Sequence, residues 1–292
     1  MIKKLAVKIK KYLGIIVHIL MNIFGGGLTL FLSTKSTNST SVLLRLFNGL
    51  KLLLSTKKQY NNCLNKNLSD FNKNFHINNS YLHLCLSDFN DNAGVTSAYF
   101  WQDLWAAKHI FEDNPKVHFD IGSRLDGFIA HLLSFRKNIT LIDIRPLPVK
   151  IPNLEFIEAD ATNLDGIEDE SIESLSALCS LEHFGLGRYG DPVDPDACFK
   201  AFNAIQKKMI VGGKVYISVP IGYEHLEFNA HRVFYPETLI NCFDEMKLIE
   251  FSCIPNDDKI EYNVDIHKYD NYVERGGILV YSYLKKWIVD LN

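Results

Sequence analysis

Apolar positions follow three regimes along this chain. Between residues 12 and 32 (YLGIIVHILMNIFGGGLTLFL) they run almost unbroken, relieved only by His18, Asn22 and Gly25-Gly26-Gly27. Lys4, Lys8, Lys11, Gly14, His18 and Asn22 recur at steps of three and four, which on a helix draws one narrow polar stripe. Residues 42–54 (VLLRLFNGLKLLL) repeat the theme, with Arg45, Asn48 and Lys51 on one side. Both stretches predict helices. Residues 55–95 then turn rich in Asn, Lys and Ser with scattered aromatics, and predict an irregular connector.

After Ser97 strand and helix patterns alternate. YFWQDLWAAKHIFEDNP (99–115) predicts an amphipathic helix stopped at Asn114-Pro115. VHFDI (117–121), ITLIDI (139–144), LEFIEAD (154–160), SLSALCS (174–180), GKVYISV (213–219), KLIEFSC (247–253) and GGILVYSYL (276–284) predict strands. Helical patterns fill three of the gaps between them, at 124–135, around 195–210 and at 236–245. No helical pattern separates the last two strands, which allows an antiparallel close. The expected fold is therefore α/β, a doubly wound, mostly parallel seven-stranded sheet with an antiparallel terminal strand, preceded by an N-terminal helical extension. The domains expected are a basic extension over 1–54, a polar connector over 55–98 and the α/β domain over 99–292.

Composition narrows the partners. A content of 47% hydrophobic and 22% charged residues is that of a folded chain, and a net charge of −3 gives nucleic acid no attraction. Residues 1–11 nevertheless hold five lysines and no acid. A basic stripe on an apolar helix suits a membrane interface. A membrane span, or packing on the protein's own core or on a partner, fits the same residues. A signal peptide fits less well, because no small-x-small cleavage site follows. The six cysteines show neither CxxC nor metal-ligand spacing, so a reducing, cytoplasmic setting without a metal centre is expected, with membrane association left open.

In open α/β sheets ligands bind at the carboxyl ends of the strands, so the polar residues there are the candidates for chemistry. The first end reads Asp120-Ile121-Gly122-Ser123-Arg124-Leu125-Asp126-Gly127, an acid and a tight glycine turn into a helix. It resembles the glycine loop of S-adenosylmethionine enzymes, with Arg124 and Asp126 where the second and third glycines would stand. Arg124 can pair with a cofactor carboxylate or, locally, with Asp126. Asp143, a little over twenty residues past the turn, is spaced to accept two ribose hydroxyls, with Ile144 beside it. Asp160 and Ala161, at the third end, resemble the segment that reads an adenine edge. A dinucleotide enzyme is disfavoured, since the missing middle glycine is the one a pyrophosphate needs.

Two further polar clusters follow later strands. EHFGLGRYGD carries His183, Arg188, Tyr189 and Asp191; FNAHR carries Asn229, His231 and Arg232. Either they overhang the pocket, with His183 or His231 as base and Arg188 and Arg232 gripping an acceptor, or they brace two loops against each other.

Taken together, FWQDLWAAKHIF, HFDIGSRLDGFIAHLLSF, LIDIRPL, LEHFGLGRYGDPVDPD, YISVPIG and FNAHRVF resemble the bacterial and nematode family called domain of unknown function 268, over roughly residues 99–240. The wider similarity, including the strand Gly212–Pro220, is to class I methyltransferases. The resemblance implies S-adenosylmethionine as cofactor, a small-molecule or saccharide acceptor, and a place in surface-glycan biosynthesis. The rival expectation is a non-catalytic Rossmann-like module that binds a ligand or scaffolds a membrane-associated glycan assembly.

Overall fold

The computed structural model describes residues 29–31, 39–64, 77, 83–86, 96–256, 259–270 and 278–285. The stripe from Lys4 to Asn22 and nearly all of the apolar run 12–32 lie outside the described residues. The chain divides into two units, Met1–Gly94 and Val95–Asn292.

In the first unit, strand β1 (Thr29–Phe31) pairs in parallel with β2 (His83–Cys85), and helix α1 spans Ser39–Leu64. The second amphipathic run is thus helical, with Asn48 and Lys51 exposed. The helix does not stop at residue 54, which corrects the irregular connector expected from residue 55. Ser55 and Thr56 donate back to the carbonyl of Leu52 at 2.8 and 3.0 Å, and the good helix formers Lys57, Lys58 and Gln59 follow. Polar composition here marks a solvated helix. Among the described residues no helix is long and apolar enough to cross a membrane.

The second unit opens with α2 (Ala98–Asp113), capped by Ser97, whose hydroxyl accepts from the Phe100 N–H at 3.3 Å. It ends on Asn114 in the left-handed region, φ 48°. Strand β3 (Val117–Ile121) follows, then a π-turn (Leu125–Ile129) that breaks at Gly127, and a short α3 (Ala130–Ser134). Next come β4 (Asn138–Asp143), β5 (Leu154–Glu158), β6 (Ile172–Leu178), a 3-10 turn (Leu181–His183), α4 (Ala197–Lys208) and β7 (Met209–Pro220). A small hairpin, β8 (His225–Glu227) and β9 (His231–Val233), leads to α5 (Pro236–Cys242). The chain then forms β10 (Met246–Asn256), β11 (Lys259–Glu261), a 3-10 turn (Ile266–Tyr269) and β12 (Ile278–Lys285).

The main sheet runs β11-β10-β12-β7-β6-β3-β4-β5. Its five central strands, β5-β4-β3-β6-β7, are parallel and flanked by helices, a Rossmann-like α/β arrangement. β12 runs antiparallel to both β7 and β10. Among the described residues the sheet has eight strands rather than seven. The added edge is β11, three residues whose register with β10 rests on Cys253↔Glu261 and Asn256↔Lys259, too short a run to show a period.

Alternation along the strands serves two apolar layers. Val215, Ile217 and Val219 pack with Phe202 of α4 and Leu239 of α5, while the intervening Tyr216 packs with Trp105 and Ile110 of α2 on the other face. Each fully buried Phe or Leu side chain contributes about 1.5–3 kcal/mol. The chain travels β3, β4, β5 to one side and returns to β6 on the other side of β3. That reversal opens a crevice at the carboxyl ends of the strands.

Candidate functional site

A cavity of about 670 Å³ occupies that crevice. Its lining includes Gly122 and Arg124 after β3, Asp143 and Ile144 at the end of β4, and Asp160 and Ala161 after β5. Cys179, Ser180, His183, Tyr189 and Asp191 follow β6. Strand-end positions chosen by pattern therefore converge on one space.

Asp120 is not among the lining residues. It lies beneath them, fully buried, and organises the turn. Its Oδ1 accepts the Ser123 N–H and its Oδ2 the Ser123 hydroxyl, each at 2.9 Å, and the Ser176 hydroxyl donates to Oδ2 as well. Because that single hydroxyl proton goes to Asp120, His118 Nε2, 2.8 Å from Ser176 Oγ, must carry the proton between them, and its Nδ1 accepts from Ser174. Burial lowers the His118 pKa to about 3, so the ring is neutral; burial pushes Asp120 up to about 6 despite its three donors. Gly122 sits above this base with φ +78°, where a side chain would be strained and its Cβ would come 3.2 Å from Ser180 Cβ.

Arg124 takes its local alternative: Nε and Nη2 reach the two oxygens of Asp126 at 2.9 and 2.7 Å on the surface. Asp143 is held by Arg145, whose N–H and Nε donate to Oδ1 at 2.8 Å and whose Nη2 donates to Oδ2 at 2.6 Å. Asp160 accepts the Thr162 N–H at 2.8 Å, which shapes the turn after β5.

The two polar loops do not share the cavity. His183 Nδ1 donates to the carbonyl of Ala230 at 2.6 Å, and Arg188 Nη1 donates to the same oxygen at 3.3 Å. Arg232 Nη1 reaches back to the Glu182 and Phe184 carbonyls at 3.4 and 2.7 Å, and its Nη2 to Pro195 O at 3.0 Å. The FNAHR segment is therefore a brace behind the first loop. Arg188, Asn229, His231 and Arg232 lie outside the lining. His231 is buried with Nε2 3.6 Å from Glu227, and Asn229 is exposed elsewhere. Asp191 is also structural, accepting the N–H groups of Gly185, Gly187 and Tyr189 at 2.8, 3.3 and 3.2 Å. Gly185, φ +74°, allows this fold-back, since a Cβ there would fall 1.8 Å from Asp194 O.

What remains at the cavity is chemically coherent. With Nδ1 donating to Ala230, the neutral His183 ring presents an unprotonated Nε2, and burial keeps its pKa below the usual histidine value. Glu182 Oε1 lies 3.6 Å from that Nε2. Ser180 is almost wholly buried, and among the described residues its Oγ has no hydrogen-bond partner although it lines the cavity. An unsatisfied buried hydroxyl is costly, so such an atom marks a place where a ligand's polar group fits.

Residues 159–273 match the family described as "Caenorhabditis protein of unknown function, DUF268". That stretch holds LEHFGLGRYGDPVDPD, YISVPIG and FNAHRVF, while the other three motif blocks precede it. Among solved structures, the chain is similar to a 1,6-didemethyltoxoflavin-N1-methyltransferase of Burkholderia thailandensis with bound S-adenosylhomocysteine. The identity is 19%, over 68% of this chain and 80% of that one, with a TM-score of 0.46. It is also similar to the N-methyltransferase NodS of Bradyrhizobium japonicum WM9 in complex with S-adenosylhomocysteine. There the identity is 10%, over 68% and 91% of the two chains, with a TM-score of 0.42. A third is the [4+2]-cyclase SpnF, 12% identical over 66% and 88%, with a TM-score of 0.48. No curated protein sequence matches the chain.

Sequence reasoning missed Arg145 and Tyr99, both of which line the cavity, and gave Ser180, at the end of the fourth strand, no role of its own. Arg145 follows Asp143 by two residues, and its placement beside a strand-end acid was the available signal. Tyr99 reaches the site from the first turn of α2, which strand-end reasoning does not examine.

Proposed function

We propose that the second unit is an S-adenosylmethionine-dependent methyltransferase and that the crevice is its cofactor and acceptor site. The observation carrying this reading is the convergence of Gly122, Asp143, Asp160 and the unpartnered Ser180 hydroxyl on one cavity. Asp143 would accept the ribose hydroxyls, Ile144 would cover the base, and Asp160 with the Ala161 N–H would meet the adenine edge. The Gly122–Arg124 turn and Ser180 would lie along the methionyl portion, with Asp120 supporting the turn from below. The antiparallel β12 between β7 and β10 is a further trait of class I methyltransferases.

Bound S-adenosylmethionine would supply a methyl group on a sulfonium, open to in-line attack. His183 Nε2, fixed as a lone pair by the Ala230 carbonyl, takes the acceptor's proton. Tyr189 and the glycine loop shape the acceptor side. In this reading a small-molecule or saccharide acceptor of surface-glycan synthesis, and membrane contact through residues 1–54, rest on the family resemblance and the basic stripe.

Calorimetry of the full chain with S-adenosylhomocysteine tests it. Binding is expected, and Asp143→Ala should weaken it roughly tenfold or more, since a carboxylate accepting hydroxyls contributes about 1.5–3 kcal/mol. A folded wild-type protein that does not bind would sink the enzyme reading and leave the non-catalytic scaffold.

A further inference from the structure

Arg145 joins two features of the cavity that are otherwise separate. It engages both oxygens of Asp143, at 2.8 and 2.6 Å. Its guanidinium carbon also stands 5.0 Å from the ring centroid of Tyr189, and that of Arg188 stands 5.1 Å from the same ring. Two cations thus attend one aromatic ring at the cavity rim, drawn by its quadrupole. Arg145 has a carboxylate in contact; Arg188 donates to the Ala230 carbonyl.

We propose that Arg145 is exchanged between Asp143 and an anionic acceptor, so that cofactor binding completes an oxyanion site made by Arg145, Arg188 and Tyr189. The inference rests on the reading that Asp143 receives the ribose. Hydroxyls that take the Asp143 oxygens compete with the guanidinium for the same lone pairs. The displaced side chain, already 51% exposed, stays tethered beside Tyr189 and loses its counter-ion. Two guanidinium groups without a facing carboxylate attract an anion and offer planar, paired N–H donors. Those donors match a carboxylate or a phosphate and give a neutral saccharide no such gain. The acceptor class that follows is a molecule bearing an oxyanion near the methylated atom. Cofactor and acceptor would then bind cooperatively. Because such coupling is reciprocal, the anion must tighten the cofactor by the same factor that the cofactor tightens the anion.

Reciprocity supplies a test that needs no acceptor. S-adenosylhomocysteine is titrated into the full-length protein in chloride, acetate or phosphate at matched ionic strength, for wild type, Arg145→Ala and Arg188→Ala. Circular dichroism confirms folding of each variant. In chloride, Arg145→Ala should bind about fivefold more tightly, the scale of one partly exposed ion pair removed as competitor. In wild type, acetate or phosphate should raise affinity about threefold or more over chloride, and whichever acts identifies the acceptor's anion. Both substitutions should abolish that gain. If Arg145→Ala binds no more tightly, or neither anion changes the wild-type affinity, the exchange is refuted while the cofactor reading stands. If wild type binds no S-adenosylhomocysteine at all, the cofactor reading itself fails and takes the exchange with it.

Discussion

Glu182 is a carboxyl group that the fold carries as a neutral acid. Its side chain is 2% exposed, and among the described residues its Oε2 has no hydrogen-bond partner. Burial pushes its pKa up to about 8 from the ordinary 4.5. The folded state therefore holds a proton that the unfolded chain releases between about pH 4.5 and 8, and stability must fall as pH rises through that window. Asp120, raised to about 6, acts with the same sign but finishes lower. His118, lowered to about 3, and His183, also lowered, act with the opposite sign and only below the usual histidine value near 6.5. Between pH 6.5 and 8 Glu182 is left as the main buried contributor, with a slope approaching about 1.4 kcal/mol per pH unit. Wild type should lose about 2 kcal/mol over that interval, read from urea unfolding at the two pH values, while Glu182→Gln, of the same shape and without the proton, should lose much less. Equal slopes for the two proteins would mean that Glu182 is ionised and hydrated in the folded state.

At the scale of elements, the Arg232 side chain of β9 reaches back to the 3-10 turn after β6. Arg232 spreads its guanidinium over the carbonyls of Glu182, Phe184 and Pro195, all of them backbone. Removing it leaves those carbonyls without their charged donor, at about 1.5–3 kcal/mol for a bond to a charged group. Arg232→Ala should accordingly lower the melting temperature by several degrees yet keep S-adenosylhomocysteine affinity within about twofold. Arg232→Lys should recover only part of the loss, since an ammonium lacks the planar fork. A variant of wild-type stability that had lost cofactor binding would show that Arg232 belongs to the site. This division between brace and site also marks what sequence could reveal. Strands β3 to β7 were legible because burial between two apolar layers makes them short, largely apolar runs bounded by turns, and Gly122, Asp143 and Asp160 were legible because they follow or end those runs. α2 announced both its bounds through Ser97 and Asn114. For Arg232, His231 and Asp191 the sequence left bracing and acceptor contact as alternatives, because their partners are backbone groups or residues of the same loops, which no side-chain pattern displays. β11 escaped because three residues show no period, and the helical stretch from Ser55 to Leu64 escaped because a solvated helix and a connector share a polar composition.

Over the whole molecule, the candidate cavity and the basic stripe fall in different units. The residues lining the cavity run from Tyr99 to Ala197, inside Val95–Asn292. The basic stripe of Lys4, Lys8 and Lys11 lies in Met1–Gly94. So does α1, which exposes Phe47 and Leu54 by 66% and 51% beside Asn48 and Lys51. A fragment of residues 95–292 should therefore fold, melt cooperatively and bind S-adenosylhomocysteine within about twofold of the full chain. Each lysine close to an anionic surface is worth about 1 kcal/mol, so the five in residues 1–11 suffice for measurable adsorption once apolar side chains enter the interface. Sedimentation with phosphatidylserine-containing vesicles should pellet the full chain at low salt and leave the fragment in solution. Raising the salt should reduce pelleting, because the attraction between exposed charges is screened. A full chain that stays in solution at low salt would assign α1 and the basic stripe to a protein partner or to internal packing. A fragment that folds but binds the cofactor many-fold more weakly would show that the first 94 residues help to build the site, and would refute the separation of the two roles.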